Sequence, residues 1–321
     1  MTTKQYVVTG GAGFIGSHIA ARLIQDGHAV RIVDNFLTGK RENIALLESL
    51  NGDMTLHETS ILNEASLRPI FEGADTVFHQ AALPSVQLSV EDPASTHAHC
   101  ATGTLHVLKA AKDAGVRRVV YAASSAAYGS NDHVVQIETY TPAPLSPYGV
   151  AKLTGEYYCQ SFYQVYGLET VALRYFNVFG ARQDPNSHYA AVIPKFITLM
   201  LQGKTPLIFG DGEQSRDFIH IENVVHGNLL AADAPDAAGE VINLATGKAT
   251  TVNALVQQLN ILMEMQVQPT YAPARDSDIL HSCASIEKAE RLLNYAPVLT
   301  FEEGLARTIA WFKTEAAHKP A

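Results

Sequence analysis

Three side chains in this sequence have the types and spacing needed to move a hydride and a proton together. Tyr148 and Lys152 lie four positions apart, so a helix would present both on one face. Ser124 follows an apolar run at residues 118–122, which places it near the carboxyl end of a predicted strand, where parallel sheets bind ligands. A deprotonated tyrosine can take a hydroxyl proton as hydride leaves the carbon, and a serine can stabilise the reacting oxygen.

A glycine-rich loop near the start of the chain predicts a dinucleotide site. Gly10 permits a tight turn after the first predicted strand, Gly13 lets backbone N–H groups approach a pyrophosphate, and Gly16 lets the following helix pack on the sheet. Asp34 follows Gly16 by 18 residues, where a carboxylate bonds the ribose hydroxyls. Because that carboxylate repels a 2′-phosphate, the loop predicts NAD rather than NADP.

The proposed base must lose a proton that a free tyrosine holds until about pH 10. Ionising it near pH 7 costs roughly 4 kcal/mol. A lysine ammonium about 5 Å away would stabilise the tyrosinate by roughly 3 kcal/mol at an effective dielectric constant of about 20. The positive charge of an oxidised nicotinamide would add a stabilisation of similar size. We therefore expect Lys152 to lower the pKa of Tyr148.

Short apolar runs alternate with helical patterns through the first 125 residues. Such alternation predicts an α/β fold with a Rossmann-type, doubly wound parallel sheet covered on both faces. We expect strands at residues 5–9, 29–33, 74–78, 118–122, 170–175 and 241–244, and helices at residues 16–26, 148–166, 193–202, 252–265 and 301–313. The predicted sheet domain is residues 1–176 with a returning segment at 218–246, and residues 177–217 and 247–321 form a smaller, partly interleaved α/β region.

Composition excludes several other classes of protein. The 321 residues include 32 acids and 23 bases, for a net charge of −9, with 47% hydrophobic residues. These values argue against disorder and against nucleic acid as the main partner. The three cysteines have no metal-ligand spacing, so we expect reduced thiols and no metal. No run is long and apolar enough for a membrane span or a signal peptide, which indicates a cytoplasmic protein.

The sequence resembles the extended short-chain dehydrogenase/reductases, and among them the nucleotide-sugar 4-epimerases. The resemblance covers nearly the whole chain and includes the glycine loop, the Tyr148 and Lys152 pattern and the RYFN segment at 174–177. The stretches at 178–186, 189–195 and 210–218 are similar to bacterial UDP-N-acetylglucosamine 4-epimerases in particular.

This resemblance implies tightly held NAD that oxidises C4 of a UDP-hexose and returns the hydride to the opposite face. Tyr148 would be the base, Lys152 would bind the ribose and tune Tyr148, and Ser124 would polarise the C4 oxygen. The implied cofactor-binding residues are Gly10, Gly13, Phe14, Ile15, Gly16, Asp34, Asn35, Ala81, Tyr148 and Lys152. The implied substrate-binding residues are Ser85, Ser124, Ser125, Asn177, Val192, Arg216, Arg275, Asp278 and Ser282.

The family also implies a homodimer that pairs through a four-helix bundle. The helix near residues 96–114 and the helix at 148–166 would form it. Their apolar faces fit the core of a monomer equally well.

Four positions bear on the substrate. Ala126 stands where related dehydratases and decarboxylases carry a glutamate, which favours plain epimerisation. The small Ser282 leaves room for a 2-acetamido group, which favours UDP-GlcNAc and UDP-GalNAc. Leu88 replaces an arginine of the acetyl-preferring relatives, and Pro84 also occurs in relatives that act on UDP-glucuronic acid. UDP-glucose and UDP-glucuronic acid therefore stay open as substrates, and a non-catalytic NAD-sensing protein is the alternative from another class.

Overall fold

A parallel sheet of seven strands forms the centre of the fold. The computed structural model describes residues 3–129, 133–185, 191–274 and 280–318. In their order across the sheet, the strands are β11 (Glu240–Leu244), β7 (Glu169–Tyr175), β5 (Arg118–Ser124), β4 (Thr76–His79), β1 (Gln5–Thr9), β2 (Ala29–Asp34) and β3 (Met54–Glu58). Every neighbouring pair is parallel. The order reverses beside β1, which opens a crevice at the carboxyl ends of the strands.

Helices cover both faces of this sheet. They are α1 (Phe14–Gln25), α2 (Arg41–Ser49), α3 (Glu64–Phe71), α6 (Gly103–Asp113), α7 (Pro147–Tyr166) and α9 (Ile221–Asp233). Val8 of β1 packs in a core cluster with Ile19 of α1, whereas its neighbour Val7 packs in a second cluster with Leu108 of α6. The central strands are continuous apolar runs in the sequence, because successive side chains point alternately into two different cores. The predicted fold class is confirmed.

Helix α7 carries Tyr148 and Lys152 in its first turns. Pro147 occupies its first position, and Ser146 caps it by accepting a hydrogen bond from the N–H of Gly149 at 3.1 Å. Gly167 ends the helix in the left-handed region, at φ 70°, where glycine carries no steric cost. The sequence thus fixes both ends of the helix locally.

The remaining elements build the smaller region and the connections to it. The additional strands are β6 (Val135–Gln136), β8 (Asn177–Phe179), β9 (Leu207–Phe209), β10 (Ser215–His220), β12 (Ala249–Thr251), β13 (Thr270–Ala272) and β14 (His281–Ala284). The additional helices are α4 (Val86–Glu91), α5 (Pro93–His97), α8 (Val192–Leu201), α10 (Val252–Met263), α11 (Glu287–Leu293) and α12 (Phe301–His318), with a π-helical turn (Ala98–Thr102) between α5 and α6.

This smaller region has its own sheet and its own core. Its main strands run in the order β12, β10, β14 and β6, with β8 paired to β10, and β9 pairs separately with β13. Phe196, Leu255 and Leu305 bring α8, α10 and α12 into one apolar cluster. The segment at 218–246 leaves this region and supplies α9, which packs on α1, and the edge strand β11. In the part of the chain that the structure describes, no helix combines the length and the apolar composition needed to span a bilayer.

The structure differs from the sequence prediction mainly where strands are short or polar. β3 has only exposed and partly buried residues, and the strands of the smaller sheet are at most six residues long. None of these gives the apolar run by which the buried strands were found. β5 extends past residue 122, so Ser124 is the last residue of the strand rather than the start of a loop.

Candidate active site

The glycine loop between β1 and α1 packs too closely for side chains. Gly10 has φ 70°, and a Cβ there would lie 2.7 Å from the backbone nitrogen of Ala81. A Cβ on Gly16 would overlap the carbonyl oxygen of Gly10. Gly13 is the N-cap of α1 and, having no side chain, caps none of its N–H groups. The first N–H groups of the helix are therefore available to an anion.

Asp34 is held as a hydrogen-bond acceptor at the end of β2. Its Oδ2 accepts from the N–H of Ala12 at 2.9 Å, and its Oδ1 accepts from the N–H of Phe36 at 2.8 Å. Burial raises the pKa of this carboxyl, and the backbone hydrogen bonds oppose that shift. Each oxygen has a further lone pair, so the carboxylate can also accept from the two hydroxyls of a ribose.

The largest described cavity follows the carboxyl ends of the strands and has a volume of about 820 Å³. It brings the predicted cofactor site and the three predicted catalytic residues together. The predicted residues on its wall are Gly10, Gly13, Phe14, Ile15, Gly16, Asp34, Asn35, Ala81, Ser85, Ser124, Tyr148 and Lys152. Glycines, a fixed carboxylate and an uncapped helix terminus on one wall fit a dinucleotide such as NAD.

Ser124, Tyr148 and Lys152 meet at one end of this cavity. The Oγ of Ser124 accepts from the N–H of Ala126 at 3.2 Å, and the serine lies close enough to Tyr148 to oppose the rise in its pKa. Lys152 is 3% exposed, and its Nζ donates to the carbonyl oxygen of Ala122 at 2.7 Å. This bond holds the ammonium 5.9 Å from the centre of the Tyr148 ring. Two elements, the end of β5 and the start of α7, thus position all three side chains.

Burial dominates the electrostatics of the tyrosine. It raises the pKa of Tyr148 well above the ordinary value, Cys100 adds to the rise, and the hydrogen bond with Ser124 opposes it. Burial also lowers the pKa of Lys152. The sequence predicts that the charge of Lys152 lowers the pKa of Tyr148, whereas in the structure desolvation outweighs that charge. In the chain alone the tyrosine is therefore protonated, and ionising it needs a further positive charge nearby.

A second cavity, with a volume of about 420 Å³, is lined by three more of the predicted substrate-binding residues. Asn177, Val192 and Arg216 line it together with apolar side chains from α8, β9 and β10. The Nη1 of Arg216 donates to the carbonyl oxygen of Ser215 at 2.9 Å. Ser282 is half-buried on β14, directly opposite Arg216 in the strand register. It does not line either cavity.

The other predicted substrate residues are more dispersed. Ser85 caps α4, its Oγ accepting from the N–H of Leu88 at 3.1 Å, and it faces the large cavity. Ser125 begins a short 3₁₀ turn (Ser125–Ala127) and does not line that cavity. Arg275 and Asp278 lie outside the described residues.

The wall of the large cavity also holds polar residues that the sequence did not predict, among them Lys40, Gln80 and Arg182. Gln80 donates to the hydroxyl of Tyr175 at 3.1 Å. Lys40 forms an ion pair with Asp184 at 2.9 Å. These partners are far apart in sequence, so no local pattern indicates their contacts. Arg182 lies in the stretch at 178–186, in which no individual residue role was predicted from the sequence.

Comparison with known proteins gives the class of this chain. The model of the NAD dependent epimerase/dehydratase family matches residues 6–245. The chain belongs to that family, and NAD is its cofactor.

Individual relatives cover almost its full length. A putative UDP-glucose 4-epimerase of Methanocaldococcus jannaschii is 37% identical over 96% of this chain and 98% of its own. A UDP-N-acetylglucosamine 4-epimerase from Methanobrevibacter ruminantium, solved with UDP-N-acetylmuramic acid, is 42% identical with a TM-score of 0.93, over 98% of this chain and 100% of its own.

A UDP-glucuronic acid 4-epimerase from Bacillus cereus, solved with UDP-glucuronic acid and NAD, is 30% identical with a TM-score of 0.88, over 97% of this chain and 99% of its own. The expected family is confirmed, and the relatives differ in the sugar that they are named for. The non-catalytic alternative is not retained, because the relatives that match the whole chain are named as enzymes.

Proposed function

We propose that this NAD-dependent UDP-sugar 4-epimerase interconverts UDP-GlcNAc and UDP-GalNAc. The observation that carries the choice of sugar is the position of Ser282, opposite Arg216 on the strand beside the second cavity. A side chain as small as serine would leave space for the 2-acetamido group of a sugar bound beside Arg216. The name of the relative from Methanobrevibacter ruminantium supports the same substrate.

The roles of the chain's own residues follow from their geometry. NAD, when bound, supplies the acceptor and later the donor of the C4 hydride. Tyr148 takes the proton of the C4 hydroxyl and returns it, and Ser124, which lines the same cavity beside Tyr148, holds the same oxygen. Lys152, anchored on Ala122, adds a positive charge beside the tyrosine. Since no net oxidation occurs, one set of residues serves both directions.

UDP-glucuronic acid is the second candidate, and a different part of the cavity favours it. Pro84, Ser85 and Leu88 line the large cavity beside the catalytic residues, whereas Ser282 does not line it. If this loop sets the choice of sugar, Pro84 matches relatives that act on UDP-glucuronic acid, and Leu88 departs from the arginine of the acetyl-preferring relatives.

We propose that the enzyme is a cytoplasmic homodimer. Val90, Leu145 and Val150 are more than half exposed. Leu145 and Val150 border a shallow surface hollow between α5 and the start of α7. The three described cysteines are unpaired and buried, which fits a reducing compartment. Pairing of α5, α6 and α7 with those of a second copy would bury this apolar surface.

The test is NMR analysis of the products that the purified protein forms without added NAD. UDP-GlcNAc, UDP-glucose and UDP-glucuronic acid are supplied in parallel to the parent and to Ser282→Tyr. We expect the parent to convert UDP-GlcNAc fastest. The variant should lose that activity while keeping UDP-glucose, which serves as the internal control. Faster conversion of UDP-glucuronic acid by the parent, or full activity of the variant on UDP-GlcNAc, would refute the proposal.

A further inference from the structure

Arg182 is a half-buried cation whose hydrogen bonds, in the described part of the structure, go to uncharged groups. It follows β8 in the left-handed region, at φ 65°, and lies on the wall of the large cavity. Its Nε is 3.2 Å from the Nε2 of His18, and its Nη1 is 3.3 Å from the Oγ of Ser17. No ion pair joins it to a carboxylate among the described residues. Burying such a charge is costly unless an anion accompanies it.

His18 holds this guanidinium in a defined direction. The Nδ1 of His18 is 2.8 Å from the carbonyl oxygen of Phe14, which can only accept, so Nδ1 carries the ring proton. Nε2 is then the acceptor for the Nε–H of Arg182. Burial, and secondly the charge of Arg182, lower the pKa of His18 to about 3, so the ring stays neutral and the bond persists at physiological pH.

The position of Arg182 identifies the anion. Its two partners lie in the first turns of α1, the helix whose uncapped N-terminus begins at Gly13. Gly13, Phe14 and Arg182 line the same cavity. A guanidinium and free helix N–H groups beside one another form a site for the oxygens of a diphosphate.

The segment that carries Arg182 is tied to the dinucleotide domain at a second point. Asp184 pairs with Lys40 at 2.9 Å, and the backbone N–H of Lys40 donates to the carbonyl oxygen of Ala12 in the glycine loop at 2.9 Å. Both ends of the segment at 182–184 thus contact the cofactor side of the cavity.

We propose that Arg182 binds the pyrophosphate of NAD and that His18 is the positioning residue that aims its guanidinium. The inference rests on NAD as the cofactor and is independent of the sugar proposed above. The diphosphate of the UDP-sugar has the same chemistry. The contacts of Arg182 with α1 favour NAD, whereas Arg216, on the second cavity, is placed for the UDP moiety.

The experiment measures NAD binding directly rather than turnover. Parent, Arg182→Met, Arg182→Lys, His18→Leu and the double variant Arg182→Met/His18→Leu are purified, and the NAD per chain is determined after heat release. The dialysed proteins are then titrated with NAD, ADP-ribose, adenosine and UDP. Arg22→Met is the matched control, because Arg22 lies on the same helix and pairs with the exposed Asp26.

We expect Arg182→Met to raise the Kd for NAD and ADP-ribose by roughly ten- to hundredfold, as for loss of charged hydrogen bonds. Adenosine and UDP should bind unchanged. Arg182→Lys should lose less NAD affinity, since lysine keeps the positive charge but not the two parallel N–H donors of a guanidinium. His18→Leu should lose less NAD affinity than Arg182→Met. The double variant should bind NAD as well as Arg182→Met does, because His18 acts through the arginine.

Several results would overturn the proposal. Unchanged NAD affinity in Arg182→Met would do so, as would an equal loss for adenosine or a loss confined to UDP. Additive losses in the double variant would remove the role of His18. If Arg182→Met does not fold, as judged by thermal unfolding, Arg182→Lys decides the question, and an affinity equal to that of the parent would refute the diphosphate contact.

Discussion

The ammonium nitrogen of Lys152 lies 5.9 Å from the centre of the Tyr148 ring, because its hydrogen bond to the carbonyl oxygen of Ala122 fixes it there. The two side chains share a helix face, yet the strand carbonyl sets their separation. At this range the lysine charge acts on the tyrosine through space.

The first prediction concerns Tyr148. Tyr148→Phe should lower kcat by about 10²–10⁴-fold, the usual contribution of a general base, while the NAD content of the purified protein stays at the parent level. Turnover by product NMR and NAD by heat release are the measurements. Tyr157→Phe is the control, because Tyr157 is an exposed tyrosine of the same helix. Parent-like turnover in Tyr148→Phe would remove it as the base.

The second prediction concerns a buried ion pair one turn beyond Lys152. Arg174 donates to both carboxylate oxygens of Glu156, at 3.0 and 2.8 Å, and both side chains are almost fully buried. Glu156→Gln should lower the free energy of unfolding by about 3–5 kcal/mol, because it leaves a buried guanidinium without its counter-charge.

Urea unfolding at fixed protein and NAD concentrations tests this prediction. Asp26→Asn removes the exposed ion pair with Arg22 and should lower the free energy of unfolding by less than about 1 kcal/mol. Equal effects of the two substitutions would contradict the assignment of a buried, costly pair.

The third prediction concerns acid stability and His79. Its ring is buried between the hydroxyls of Thr9 and Thr104, at 2.7 and 3.0 Å. Burial, and secondly the charge of Lys152, lower the pKa of His79 to about 3. The unfolded chain binds its proton near pH 6.5. Between these values the unfolded state holds one more proton, so the free energy of unfolding falls by about 1.4 kcal/mol per pH unit as the pH drops.

His79→Gln should therefore flatten the loss of stability between pH 6.5 and about pH 4, relative to the parent. Unfolding free energies measured across this window give the slope. His133→Gln removes an exposed histidine and should leave the slope unchanged. A parent slope that survives in His79→Gln would show that other groups cause the acid sensitivity.

The fourth prediction concerns the proposed dimer. Val150 is 51% exposed on α7, beside the hollow that Leu145 also lines. Val150→Glu should convert the dimer to monomers, because it would bury an unpaired charge in each half of the interface. Light scattering gives the mass. Ile261→Glu changes a residue that is 67% exposed on α10 and should keep the parental mass. A monomeric parent would refute the dimer itself.

Local rules allowed much of the site to be predicted from the sequence. Gly10 and Gly16 leave no room for a Cβ, so the loop admits few other residues. The spacing of Tyr148 and Lys152 fixes a shared helix face wherever the helix lies. The buried strands were predicted from continuous apolar runs, because their side chains enter a core on each face of the sheet. β3 and the short strands of the smaller sheet have no such run.

The sequence by itself predicted the parallel sheet, the NAD loop with Asp34, and the candidate catalytic residues Ser124, Tyr148 and Lys152, because each prediction rests on a pattern of nearby residues. Only the tertiary structure decided how deeply Tyr148 is buried, and therefore that burial raises its pKa. It also decided that Arg182 meets His18 across 164 residues and that Ser282 lies opposite Arg216. Such contacts arise where distant segments pack together, and no local spacing encodes them.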